Sequence, residues 1–251
     1  MLVKWLMLFT LSLPVWGYNL TRDFVDGFYW ASLPINIQVE DSAAARANGI
    51  FDLARESIQD WERATALKLW DITSSGTSNL IRWSNNFAAE TRMDPNSVLA
   101  VAVRYTNGPY FARTEIIING SHPSFNTGFT TLNKSNLKTT LVHELGHTMG
   151  LDHSNNMNAI MAPSLQPYYS GIHSDDRMGM EDAHSQMEHR QLTRYVSPLS
   201  YSNENQSAQA LSCGTTGPAT AGASANGMFS LAAGMLIGFV RKVYKWFKSK
   251  F

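Results

Sequence analysis

Cysteine is almost absent from this chain: Cys213 is the only one in 251 residues. An internal disulfide framework is therefore excluded, and the fold must rest on its core and its hydrogen bonds. An excess of either charge is also missing, with 20 basic and 20 acidic residues. Five of the basic residues (Arg241, Lys242, Lys245, Lys248, Lys250) crowd into the last eleven positions, where no acid occurs. The body is thus mildly acidic and the tail basic. That points to a membrane partner for the tail and to no nucleic-acid partner. Long apolar runs are scarce. The run Leu6–Leu13 is too short to span a bilayer and, with Lys4 before it and Pro14–Gly17 after it, reads as a secretory signal peptide over residues 1–17. The 24 uncharged residues from Gly217 to Val240 are long enough to span, although Asn226 and several Gly and Ser dilute them. Hydrophobic content is 44%, ordinary for a globular chain of one catalytic-sized domain with flanking segments.

Between these ends the order is a short lead-in (18–33), one domain (34–196), a Ser/Asn/Gly/Thr/Ala-rich flexible linker (197–226) and an apolar segment with a basic tail (227–251). Pro34–Glu40 alternates apolar and polar residues and predicts a half-buried strand. Asp41-Ser42 is a plausible cap for a long helix to about Thr65, with Ile50, Ala54, Ile58 and Trp61 on one face. Strands are predicted at 67–73, 79–83, 98–105 and 114–119, the last two separated by the turn signal Asn107-Gly108-Pro109. A loop follows, and Ser135 or Asn136 then caps a helix to about Met149.

That helix carries His143-Glu144-Leu145-Gly146-His147-Thr148-Met149-Gly150-Leu151-Asp152-His153, the pattern HExxHxxGxxH. Histidines four apart share one helical face and can reach one ion. Glu144 lies about 100° further round, beside the ion and outside its ligand set. A straight helix carries position 153 too far along its axis to join them. Gly150, which tolerates a left-handed backbone, lets the chain turn and bring His153 back as third ligand. Three imidazoles leave one position for water, the arrangement of a catalytic zinc site rather than a closed structural one. Three of only seven histidines fall in this pattern. That spacing separates it from the bare HExxH that chance places on many helices.

The stretch resembles the metzincin metalloendopeptidases. Leu145-Gly146-His147-Thr148-Met149-Gly150-Leu151-Asp152-His153-Ser154 is similar to the matrixin branch, with Asp before the third histidine and Ser after it. The resemblance implies an α+β metzincin-like zincin domain: a twisted, mostly parallel sheet with an antiparallel edge strand, packed on two long helices. The active-site cleft would run along the HExxH helix, with a small C-terminal subdomain holding a Met-turn and a last helix. Ala159-Ile160-Met161-Ala162-Pro163 resembles that Met-turn, whose methionine lies beneath the imidazoles. Pro163 stands where some metzincins place a tyrosine that reaches the zinc, so no tyrosine ligand is expected. Pro167-Tyr168-Tyr169 resembles the segment lining the matrixin specificity pocket, and Ser174-Asp175-Asp176 the opening of its last helix. Carboxylates at a helix start are explained by the free N–H groups there. His173, His184 and His189 read as surface residues.

Leu99-Ala100-Val101-Ala102 resembles the matrixin edge strand Leu-Ala-His-Ala, which in that family pairs with the extended substrate. Val101 replaces the histidine that holds a second, structural zinc there. The acidic calcium-binding run is also missing around Glu115–Ser121. One catalytic zinc is therefore expected, and neither a second zinc nor structural calcium.

The expected activity is zinc-dependent hydrolysis of peptide bonds by a secreted or surface-tethered endopeptidase. His143, His147 and His153 would hold the metal, and Glu144 would move protons as general base and acid. The substrate would be a protein or peptide bound as an extended strand, and the protein a monomer. The alternative is a catalytically silent zinc-binding adhesion or interaction module on the same fold. The resemblance also raises a thiol cap on the zinc as a route to latency. None is expected here, because Cys213 lies far downstream; Asp23 or Asp26 are the acids positioned to cap instead. Export without disulfides fits a bacterial setting. The polar motif Ser212-Cys213-Gly214, the apolar run and the basic end resemble a C-terminal sorting signal, with the protease outside the cell.

Overall fold

The computed structural model describes residues 17–125, 131–164, 171–201 and 208–214. Of the expected signal peptide (1–17) all but Gly17 lies outside them, as do Pro167-Tyr168-Tyr169 and the apolar C-terminal segment. The chain divides after Gly217, and everything below belongs to the first unit. Elements follow in the order β1 (Asn19–Leu20), α1 (Arg22–Val25), β2 (Tyr29–Trp30), β3 (Ile35–Val39), α2 (Ala43–Ala47), α3 (Ile50–Thr65), β4 (Trp70–Thr73), β5 (Leu80–Ser84), α4 (Phe87–Thr91), β6 (Val98–Asn107), β7 (Tyr110–Asn119), α5 (Thr131–Thr148), β8 (Leu151–Asp152), α6 (Ser174–Thr193), a 3-10 turn (Pro198–Tyr201) and β9 (Ala208–Gly214).

The main sheet has the order β4-β3-β5-β7-β6-β9, with β2 joined to the far half of β7. Pairings β3–β4, β3–β5, β5–β7 and β2–β7 are parallel; β6–β7 and β6–β9 are antiparallel. This is the mostly parallel α+β sheet with an antiparallel edge that the family resemblance implies. The predicted β6–β7 hairpin forms through Gly108, whose φ of +56° suits the left-handed turn.

Helix formation follows the apolar spacing. The face of α3 that carries Ile50, Leu53, Ala54, Ile58 and Trp61 is buried, while Arg55, Glu56, Asp60 and Arg63 lie on the other faces. The expected single helix from residue 42 is in fact two. Ser42 caps α2 by accepting from Ala45 N, and Asn48 and Gly49 break the run before α3; Gly49 has φ +62°. α5 starts at Thr131, ahead of the expected cap. Ser135 and Asn136 sit inside it, and their carbonyls accept from Thr139 Oγ1 and Thr140 Oγ1.

Three indoles peg α5 to the layers beneath. Trp61 Nε1 donates to Val142 O (2.9 Å), Trp30 Nε1 to Thr148 O (2.8 Å) and Trp70 Nε1 to Thr148 Oγ1 (3.0 Å). Each indole is buried and each finds an acceptor, so the rings add packing area without an unpaired N–H.

Two segments depart from the sequence expectation. The lead-in is part of the domain: Phe24, Tyr29 and Trp30 are core residues, and β1 pairs antiparallel with β8. Its elements are too short for any period to show. Within the expected flexible linker, Ala208–Gly214 forms a strand along β6. Its sequence has no alternation. The pairing comes from the backbone row that the edge of β6 offers, which any extended segment can use.

Candidate metal centre

α5 carries His143 and His147 on one face, with Glu144 fully buried next to His143. The helix stops where expected. Gly150 has φ +100° and donates to His147 O (3.1 Å). Its position is doubly restrictive, because a Cβ there would lie 2.5 Å from the Phe24 ring. The chain then enters β8, where pairing with β1 fixes its direction, and His153 swings back. Asn19 Nδ2 donates to His153 O (2.7 Å), and Asp152 Oδ1 accepts from His153 N (2.7 Å).

The three imidazoles converge, with ring centroids 4.6, 4.9 and 5.3 Å apart, and one nitrogen of each lies within 4.8 Å of the others. His143 Nδ1 bonds Ile160 O (2.7 Å) and His147 Nδ1 bonds Leu151 O (2.8 Å). A carbonyl only accepts, so each Nδ1 carries its proton and each Nε2 keeps a lone pair. Those two Nε2 atoms are buried and without a hydrogen-bond partner among the described residues. Burial, then the neighbouring His153, pushes the His143 pKa down to about 3; burial, then His143 and His153, holds His147 well below its ordinary value. Both rings are therefore neutral, the form that ligates a metal. His153 is only half-buried, so the cluster opens to solvent on that side. Three convergent nitrogens, two of them on neutral rings anchored by carbonyls at their far sides, fit a zinc ion with one open position.

Met161 is buried beneath this helix. Gly146 makes the approach possible, since a Cβ at 146 would come within 2.4 Å of Met161 Sδ. Asp176 holds the turn from the other side, accepting from Ile160 N (2.8 Å), Met161 N (2.9 Å) and His173 N (2.8 Å). Burial nevertheless keeps its pKa above the ordinary carboxylate value. Asp176 is thus more than a helix-start charge: it positions Ile160, whose carbonyl orients His143. Its neighbour Asp175 accepts from Ser154 Oγ (2.6 Å). His173 is the exposed N-cap of α6, accepting from Asp175 N; His184 is half-buried facing Glu188, and His189 is exposed. Asp23 is engaged by a cation. Both its oxygens engage Arg104, and Asp26 pairs with Arg22.

The role of Arg104 was not legible in the sequence. It is 1% exposed on β6 and reaches across to Asp23, to Thr21 Oγ1 (2.7 Å) and to the carbonyl of His147. A charged residue in an otherwise apolar strand, Val98–Val103 followed by Arg104, was the available signal.

An α+β domain with a parallel sheet, a backing helix and three imidazoles gathered by a helix and the turn after it is a metzincin-type domain. The chain belongs to the matrixin family, whose pattern matches residues 30–185, more than half its length. It is 25% identical to human matrix metalloproteinase-19 over 133 residues, which are 51% of this chain and 24% of that protein. It is 60% identical to human matrix metalloproteinase-15 over 37 residues, 15% of this chain and 6% of that protein. The chain thus aligns with a quarter or less of these relatives' length. The matrixin family is a family of peptidases. Among the described residues no helix is long and apolar enough to cross a membrane.

Proposed function

We propose that this protein is a zinc endopeptidase acting on extended peptide segments, with His143, His147 and His153 as the metal ligands and Glu144 as the catalytic carboxylate. One observation carries the reading. Two carbonyls lock the His143 and His147 tautomers so that their lone pairs face a common centre with His153, on a matrixin domain. Bound there, zinc supplies a Lewis acid that activates water near neutral pH and polarises the scissile carbonyl.

The chain's own groups do the rest. Ile160 O and Leu151 O hold the His143 and His147 rings in place. Glu144, fully buried, is held where water is scarce, which favours proton transfer over solvation of the carboxylate. It takes a proton from the attacking water and returns it to the departing amine. Asp152 is committed to His153 N, and Ser154 donates to Asp175, so neither competes for this role. The backbone of β6 is the surface that would receive the substrate strand. Export through residues 1–17 and tethering through residues 227–251 complete the proposal.

The test is zinc content and cleavage of a quenched peptide library by the full chain beside Glu144→Ala. The expected result is about one zinc per chain in both, with cleavage only by the wild type. Zinc in both and cleavage by neither overturns the peptidase reading in favour of a silent module. His153→Ala is expected to lose both metal and cleavage.

A further inference from the structure

β6 would be the edge of the main sheet if the chain stopped after the 3-10 turn. It is instead covered by β9. The register is continuous over six pairs: Ala100 with Cys213, Val101 with Ser212, Ala102 with Leu211, Val103 with Ala210, Arg104 with Gln209 and Tyr105 with Ala208. It then slips, so that Val98 meets Gly214. β9 also lies against α5, the helix that carries His143 and His147. One segment of the chain therefore touches both the proposed substrate-receiving strand and the helix of the metal cluster.

We propose that Ala208–Gly214 is an autoinhibitory strand, seated antiparallel on β6 where a substrate peptide would be received. The inference rests on the peptidase reading above, and in particular on β6 as the docking edge. Strand addition is driven by backbone N–H and C=O groups, which are the same in β9 as in any peptide. A given row of groups on β6 pairs with one strand at a time, so the two exclude each other. β9 has the advantage of attachment. A tethered strand acts at an effective concentration on the order of millimolar, whereas a free peptide competes at its own concentration. Its weakness lies in composition: AQALSCG carries no charge, no aromatic and no β-branched residue. Docking of that kind holds by backbone pairing and yields to a partner with better side chains. The result is a peptidase that rejects weak peptides and opens to strong ones or to loss of the segment.

The experiment uses the full chain. In an antiparallel ladder alternate residues point their N–H at the partner strand, so replacing two neighbours with proline must delete at least one ladder bond. Ala210→Pro with Leu211→Pro is expected to lower KM about tenfold and leave kcat unchanged, the signature of a removed competitor. A second measurement needs no proline. In the Glu144→Ala chain, excess mixed octapeptides are expected to speed amide exchange at 208–214 about tenfold while 100–105 stay protected. Unchanged KM together with unchanged exchange, in a chain that cleaves, overturns the inference and leaves the peptidase reading standing. Displacement of 208–214 in a chain that never cleaves supports the strand competition and fails the peptidase reading instead.

Discussion

Removing the guanidinium of Arg104 tests how the segment before residue 30 is tied to the metal helix. Arg104 is buried and makes a forked pair with Asp23, Nε to Oδ2 at 3.0 Å and Nη2 to Oδ1 at 2.6 Å. It also donates to Thr21 Oγ1 and to His147 O, and its guanidinium lies 4.9 Å from the Phe111 ring centre. In Arg104→Met the Asp23 carboxylate, only 11% exposed, is left without its cation, and the His147 carbonyl loses a donor. Breaking one partner of a buried pair costs about 3–5 kcal/mol. Against a domain stability on the order of 5–15 kcal/mol that is a large share. At about 2–4 °C per kcal/mol for a domain of this size, Tm is expected to fall by roughly 6–20 °C. Urea unfolding of the wild type, Arg104→Met, Asp23→Leu and the double variant supplies the assay. The double variant is expected to recover a large part of the loss, because an apolar pair of similar volume removes the uncompensated charge. Single substitutions costing under about 1 kcal/mol, or fully additive ones, would refute the argument that the fork ties the two segments together.

Three further outcomes follow from particular contacts. Gly146→Ala puts a Cβ against Met161 Sδ and is expected to cost about 1–3 kcal/mol in urea unfolding, partly recovered by adding Met161→Ala; an additive pair would show that the contact is not the cause. Asp176→Asn strands at least one of the three N–H groups that donate to this carboxylate. It is expected to cost about 1–3 kcal/mol and to weaken zinc binding roughly 10–100-fold through Ile160 and His143, read by competition with a zinc chelator; unchanged affinity would sink the second part. Burial, then the Asp182 carboxylate to which its hydroxyl donates, pushes the Tyr18 pKa up to about 12. A raised folded pKa gives stability that is complete below the ordinary value of 10.0 and lost as pH rises through about 12. Over that window the stability difference between wild type and Tyr18→Phe is expected to shrink, and a constant difference in unfolding midpoint would count against it.

The sequence by itself determined the histidine and glutamate pattern and most of the frame. The i, i+4 histidines, the glutamate between them and a glycine at the helix end are local facts, because a helix converts spacing into direction. The strands at β3 to β7 and the buried face of α3 were legible for the same reason: alternation and the 3.6-residue period report which side is dry. Tertiary structure decided what has no local period. β1, α1 and β2 are too short to show one, yet they place Phe24 against Gly150 and Asn19 on His153. Arg104 meets Asp23 across 81 positions of sequence, and Asp176 reaches back to Ile160, pairings that no window along the chain contains. β9 is the plainest case. Its side chains carry no strand signal, because what seats it is a row of backbone groups on β6, and backbone groups are the same in every sequence.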